Sequence, residues 1–192
     1  MQYWKHVEAG DFESYGSKVS KYTFEVYPLR KKPDHLRGNT FWNPVPTADV
    51  QDYFPELLEG VSHFGKLREV TILSVYKDTS LHTDHTTGSQ RGVLARLNIP
   101  VLNTEGSYTS FYEIPESYPF VVNGGGTKVW NTNLTNILQP VTTVEVIKPT
   151  ILRVSKPHFV KCETNKYPRL VLSLTFEEDV VKYLDQPTQG KK

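Results

Sequence analysis

The chain has 192 residues, enough for one domain with a substantial core. Hydrophobic residues make up 38% and charged residues 22%, which excludes a disordered chain and suits a globular one. The 22 Lys and Arg against 21 Asp and Glu leave no bulk charge to draw it to nucleic acid or an anionic membrane.

Cys162 is the single cysteine, so no intramolecular disulfide can form and a reducing compartment is favoured. The opening Met1-Gln2-Tyr3-Trp4-Lys5-His6 lacks the basic start and apolar run of a secretion signal. No run approaches the roughly 18 apolar residues of a membrane span. The expected location is the cytoplasm, and the Asn133-Leu134-Thr135 sequon is then accidental.

Residues 1–46 are rich in Tyr, Lys, Gly and Pro, with a strand-like run at 21–27. Arg30-Lys31-Lys32 reads as a solvated turn before Pro33, and Phe41, Trp42 and Pro44 as packing on the domain's edge. Thr47 is a good N-cap for one clear helix, in which Val50, Tyr53, Phe54, Leu57, Leu58 and Val61 recur at helical spacing. Pro55 is expected to kink or split it, and Gly60 to weaken its end.

From Glu69 the period changes to two, with dense β-branched residues. Strand-like runs follow at 92–101, 108–114, 118–122, 127–130, 142–147, 151–155 and 169–176, separated by Gly-, Asn- and Pro-rich turns. The reading is a mainly β fold, a two-sheet jelly roll after an N-terminal helical segment. Residues 1–68 form the helical and edge segment, 69–184 the β core and 185–192 a polar tail. Gly124-Gly125-Gly126 lacks the Lys-Ser/Thr of a phosphate loop and reads as a turn.

In a strand, residues i and i+2 project from one face, so His82 and Asp84 can point at a common centre while Thr83 and His85 face away. A third ligand can come from a distant strand, and His158 begins a late one. Two histidines and one carboxylate leave three octahedral positions open, the arrangement of non-haem iron(II) oxygenases. On the next strand Arg169, Val171 and Ser173 share one face and Leu170, Leu172 and Leu174 the other. An inward arginine is costly unless it meets an anion, and its planar fork matches a carboxylate. Simpler readings stand beside these: a surface turn for His82-Thr83-Asp84, a hydrogen-bonded core His158, and a buried salt bridge for Arg169.

His82-x-Asp84, His158 and Arg169 in a β-rich chain resemble the iron(II)/2-oxoglutarate-dependent oxygenase superfamily over about residues 69–176. The closest branches in appearance are the prolyl hydroxylases and the aspartyl/asparaginyl β-hydroxylases. The resemblance implies a double-stranded β-helix with His82, Asp84 and His158 as iron ligands. Arg169 would pair with the distal carboxylate of 2-oxoglutarate, with Ser173 assisting. Arg96 and Asn98 resemble an Arg-x-His pair that contacts the co-substrate, with Asn98 in place of the histidine. Tyr76 resembles a co-substrate tyrosine at shorter spacing and is read as a core aromatic. Asp84 departs from the mammalian β-hydroxylase pattern, matches the wider superfamily, and argues against a halogenase. Cys162 is read as a small core residue near the site.

Iron(II), 2-oxoglutarate and O2 are the implied cofactors, and succinate and CO2 the co-products of hydroxylating a C–H bond. The substrate would be a peptide side chain, an amino acid or another small polar molecule. Loops 86–90, 103–110 and 124–126 would contact it. Nucleic acid is not expected, since no basic stripe with interleaved aromatics appears. Two rival readings are a cupin-like binding or isomerase domain, which usually carries a His-x-His pair absent here, and a non-catalytic jelly-roll module.

Overall fold

In the computed structural model residues 1–26, 40–84, 92–123, 126–163 and 166–185 are described. The basic cluster at 30–32, His85, the loop 86–90, Gly124-Gly125 and the tail beyond Asp185 lie outside them.

The N-terminal segment supplies both sheet and helix. Strand β1 is Trp4–His6. Helix α1, Phe12–Lys21, is capped by Asp11, whose side chain accepts a hydrogen bond from the Ser14 amide. The strand expected at 21–27 does not form over its described part, residues 21–26. Lys21 ends α1, and a π-helical turn covers Tyr22–Val26. Tertiary packing overrides the β preference of Tyr22 and Thr23. The Tyr22 ring lies 5.1 and 5.6 Å from Tyr53 and Phe54, and the Thr23 hydroxyl donates back to Val19 O at 2.7 Å.

The helix expected from Thr47 is split at Pro55, as its missing N–H requires, into α2, Thr47–Tyr53, and α3, Glu56–Val61. Pro46 rather than Thr47 occupies the N-cap position, and no side chain caps it. Val50, Phe54, Leu57 and Val61 are buried, as their spacing predicts, whereas Tyr53 is exposed. Gly60 is a close-approach residue rather than a weak end. A Cβ there would sit 2.6 Å from Ala9 O, so the glycine lets α3 lie on the chain after β1.

The remaining strands are β2 (Thr40–Pro44), β3 (Leu67–Val75), β4 (Leu81–His82), β5 (Arg96–Leu102) and β6 (Ser107–Phe111). After them come β7 (Phe120–Val122), β8 (Lys128–Trp130), β9 (Thr142–Glu145), β10 (Thr150–Leu152), β11 (His158–Cys162) and β12 (Arg169–Phe176). They form two antiparallel six-stranded sheets, ordered β1-β10-β5-β12-β3-β2 and β7-β8-β4-β11-β6-β9. The fold is therefore mainly β. From β3 to β6, and again from β9 to β12, the chain crosses from one sheet to the other at every step. Strands β1 and β2 close the two edges of the first sheet, so the N-terminal segment is part of that sheet. Strand β5 starts later than the sequence suggests, because the Leu94 and Ala95 amides donate to the Asp179 carboxylate instead of a neighbouring strand.

The two faces of the first sheet have different tasks. Leu170, Leu172 and Leu174, with Leu97 and Ile99, pack under Tyr15, Val19, Phe54, Leu57 and Val61 of the helices in the largest apolar cluster. The opposite face looks between the sheets. There a smaller apolar cluster of Leu73, Val75, Val160, Cys162 and Val171 adjoins Arg169 and Ser173. Moving the main core outside the sandwich leaves its interior free to hold polar side chains. Among the described residues, no helix is long and apolar enough to cross a membrane.

Candidate metal centre

Strand β4 is short, but the chain stays extended past it. The Thr83 amide donates to Lys128 O at 3.0 Å and the Asp84 amide to Val154 O at 2.8 Å. Alternation is thus kept, and His82 and Asp84 project together while Leu81 and Thr83 are buried on the other side. Strand β11 pairs with β4 so that His158 lies directly across from His82. One ligand-capable atom from each of His82, Asp84 and His158 falls within 4.8 Å of the others. Asp84 Oδ1 is 3.2 Å from His82 Nε2 and 3.8 Å from His158 Nε2. Adjacent donors on an octahedral ion, bonded at about 2.0–2.2 Å, lie about 3 Å apart. The set fits a divalent cation after a small contraction.

The outer nitrogens are already engaged. His82 Nδ1 bonds Ser80 O at 2.6 Å and His158 Nδ1 bonds Lys156 O at 2.9 Å. With Nδ1 donating in each ring, both Nε2 atoms are left to face Asp84. At Asp84 burial pushes the carboxyl up, but the His82 hydrogen bond and the charges of His158, His82 and Arg96 outweigh it and hold it down at about 2. Burial pushes His82 down, yet its bond to Asp84 leaves it raised overall. Burial and the neighbouring His82 charge push His158 down to about 4. His82 is therefore the imidazole that protonates first. A divalent cation would take the place of that proton between His82 and Asp84.

Arg169 begins β12 and is 1% exposed. Among the described residues the arginine ion pairs are those of Arg96 and Arg153, and no carboxylate pairs with Arg169. This counts against the buried salt bridge offered as its simpler reading. Arg169 Nε, Ser173 Oγ, Asn98 Oδ1 and Thr109 Oγ1 are all buried without a hydrogen-bond partner. These four residues line one inner chamber together with His82, Asp84 and His158. Four orphaned polar atoms around one void mark a place for a polar guest.

The inner chamber is narrow, about 30 Å³, enough for one or two waters. It shares Trp42, Thr79, His82 and Asp84 with an outer chamber of about 360 Å³, which is also lined by Glu69, Ser80, Arg96, Asn123, Thr127 and Val129. A five-carbon diacid therefore needs both chambers, with lining side chains drawn back.

The sequence-derived residues thus fall into two groups. His82, Asp84, His158, Arg169, Ser173 and Asn98 meet at the inner chamber. Arg96 does not line that chamber, and is turned instead to Asp84 Oδ2 and Glu69 at its outer side. Tyr76 lines neither chamber. Cys162 is buried, with its Sγ 3.5 Å from Ser107 Oγ, and belongs to the apolar cluster beside the site. Sequence reading overlooked Trp42, Glu69 and Thr79 as site residues, and took in Thr109 only as part of the 103–110 stretch. Thr109 was detectable, since it alternates with Tyr108 and Ser110 on β6 and places a small polar group inward.

The chain matches no protein-family model and no curated protein. It is similar to the solved structure of the epimerase SnoN in complex with Fe3+, alpha ketoglutarate and nogalamycin RO. That match has 15% identity and a TM-score of 0.48, over 100% of this chain and 88% of that one. It is also similar to HygX from Streptomyces hygroscopicus with nickel and 2-oxoglutarate bound, at 14% identity and a TM-score of 0.43, over 90% and 82% of the two chains. AviO1 from Streptomyces viridochromogenes Tue57 matches at 13% identity and a TM-score of 0.44, over 90% and 88%. Likeness at this level assigns the chain to no family and no reaction.

Proposed function

We propose that the protein is a non-haem iron(II)/2-oxoglutarate-dependent oxygenase built on a double-stranded β-helix. The crossing of the chain between two sheets from β3 to β6 and from β9 to β12 is the winding that such a fold requires. One observation carries the function: three side chains able to ligate a metal, and a buried Arg169 that no acid pairs with among the described residues, face the same chamber.

In this reading His82 Nε2, Asp84 Oδ1 and His158 Nε2 hold the metal, and the Ser80 and Lys156 carbonyls fix the two rings through Nδ1. The Arg169 guanidinium takes the distal carboxylate of 2-oxoglutarate, with Ser173 Oγ and Asn98 as neighbouring polar partners. From iron(II), 2-oxoglutarate and dioxygen, when bound, comes the oxidising power: decarboxylation to succinate and CO2 coupled to hydroxylation of a C–H bond. The outer chamber receives the substrate. Apart from the ligand pair His82 and Asp84, its side chains are one acid, Glu69, facing one base, Arg96, besides hydroxyl, amide, indole and valine groups. That lining suits a small polar molecule without strong net charge. The resemblance to prolyl and aspartyl/asparaginyl β-hydroxylases makes a peptide side chain or a free amino acid the first to try.

The test is succinate formation from 2-oxoglutarate under iron(II) and oxygen, alone and against a panel of peptides and amino acids. Product mass separates hydroxylation, which adds one oxygen atom, from an inversion of configuration, which adds none. Iron-independent or absent succinate formation, with the protein folded, would remove the oxygenase reading.

A further inference from the structure

The two oxygens of Asp84 face different groups. Oδ1 is turned to the imidazoles, 3.2 Å from His82 Nε2 and 3.8 Å from His158 Nε2. Oδ2 is turned away from them, 3.6 Å from Arg96 Nε. The guanidinium is held on its other sides as well. Its NH1 is 3.7 Å from Glu69 Oε2, and its carbon sits 4.8 Å from the centre of the Trp42 ring. The Arg96 side chain is 12% exposed, and its Nε and NH1 make no hydrogen bond. At 3.6 and 3.7 Å they lie just outside bonding distance of two carboxylates. A largely covered cation with two buried, unmet donors, set over an indole and aimed at a candidate ligand's outer oxygen, has more than a packing role to fill.

A carboxylate can bind a divalent ion through one oxygen or both. Through both, it fills a coordination position that a chelating co-substrate needs. We infer that Arg96 is a positioning residue that engages Asp84 Oδ2 and restricts Asp84 to ligation through Oδ1, so that a coordination position stays open for the co-substrate. This rests on the metal reading above. Trp42 supplies the face against which the guanidinium is set, and Glu69 balances its charge from the side away from the metal ligands. The strand pattern explains the placement: β5 turns Arg96 and Asn98 to the same face, but the longer side chain at the strand's start reaches the ligand's outer edge.

Losing Arg96 removes a positive charge beside the metal, so metal affinity does not fall, while affinity for 2-oxoglutarate does. The experiment uses cobalt(II) as the probe metal in full-length wild type, R96M and R96K. Cobalt and 2-oxoglutarate affinities are read by calorimetry, and cobalt geometry by visible absorption before any 2-oxoglutarate is added. Expected for R96M are an unweakened cobalt affinity, a changed cobalt spectrum without co-substrate, and 2-oxoglutarate binding weakened about tenfold or more. R96K, which keeps the charge, should lie between R96M and wild type in both spectrum and affinity. An R96M spectrum identical to wild type overturns the inference. With 2-oxoglutarate affinity lost and the spectrum unchanged, Arg96 would touch the co-substrate directly. With only the melting temperature lowered, its role would be packing. Should R96M not fold, the R96K spectrum decides alone, and identity with wild type again overturns the inference. Wild type that takes up no cobalt would overturn the metal reading itself, a result distinguishable from the others.

Discussion

Replacing Arg169 with methionine sets stability against function. Arg169 is 1% exposed, and burial lowers its guanidinium from an ordinary 12.5 to about 10. That difference corresponds to roughly 3 kcal/mol of penalty on the charged form. Methionine fills much of the same space without a charge or unmet Nε, and Val171, Val75 and Cys162 beside it are apolar or nearly so. The metal-free variant should therefore be more stable than wild type, by about 1–3 kcal/mol, which for a chain of this size raises Tm by roughly 3–10 °C. Binding of 2-oxoglutarate should lose a buried charge pair worth about 2–5 kcal/mol. The corresponding rise in Kd is roughly 30- to 4,000-fold. Thermal denaturation of the metal-free protein and calorimetry of the cobalt-loaded protein measure the two effects side by side. A lower Tm combined with unchanged 2-oxoglutarate affinity would refute the reasoning and return Arg169 to a structural role.

Three further outcomes are expected. His158→Ala should weaken divalent metal binding by at least about 100-fold, beyond the loss typical of an outer contact, while circular dichroism stays that of the folded protein; unaltered metal affinity would take His158 out of the ligand set. The metal-free protein should lose stability as pH falls from 6.5 to about 4, because the unfolded chain binds a proton at His158 that the folded one refuses. The loss reaches at most roughly 3 kcal/mol, and is offset in part by His82, whose raised value adds stability below 6.5 that is lost as pH rises through it. Asp84 adds its own stability above 3.8, lost only as pH falls through about 2. Denaturant titrations at several pH values should show the slope in wild type and a flatter line in His158→Gln; equal slopes would contradict the assignment. Gly60→Ala should destabilise by about 1–3 kcal/mol, since its Cβ would meet the Ala9 carbonyl at 2.6 Å. A gain in stability, as helix preference alone would give, would show that α3 can move off that contact.

Much of the site was legible because it depends on strand alternation. The two-residue period of β12 separates Arg169 and Ser173 from the leucines, and the same alternation, kept past the end of β4 by the Thr83 and Asp84 amide bonds, joins His82 to Asp84. Alternation cannot say how far along a strand a chamber extends. Arg96 and Asn98 share a face, yet Asn98 reaches the inner chamber and Arg96 the outer. Trp42 and Glu69 reach the site through sheet order, from β2 at an edge and the start of β3, which local sequence does not encode. Strand β4 has only two residues, too few to carry a period of its own. The stretch 21–27 misled because β-branched and aromatic residues favour strands in isolation. In the fold Tyr22 is committed to the helix layer by Tyr53 and Phe54.

The most direct test is to locate the metal. Crystals grown anaerobically with manganese(II) and 2-oxoglutarate should give one anomalous peak about 2.0–2.2 Å from His82 Nε2, His158 Nε2 and Asp84 Oδ1, with one carboxylate of the diacid on Arg169. A fully occupied metal bound elsewhere, or a diacid that does not reach Arg169, would contradict the account.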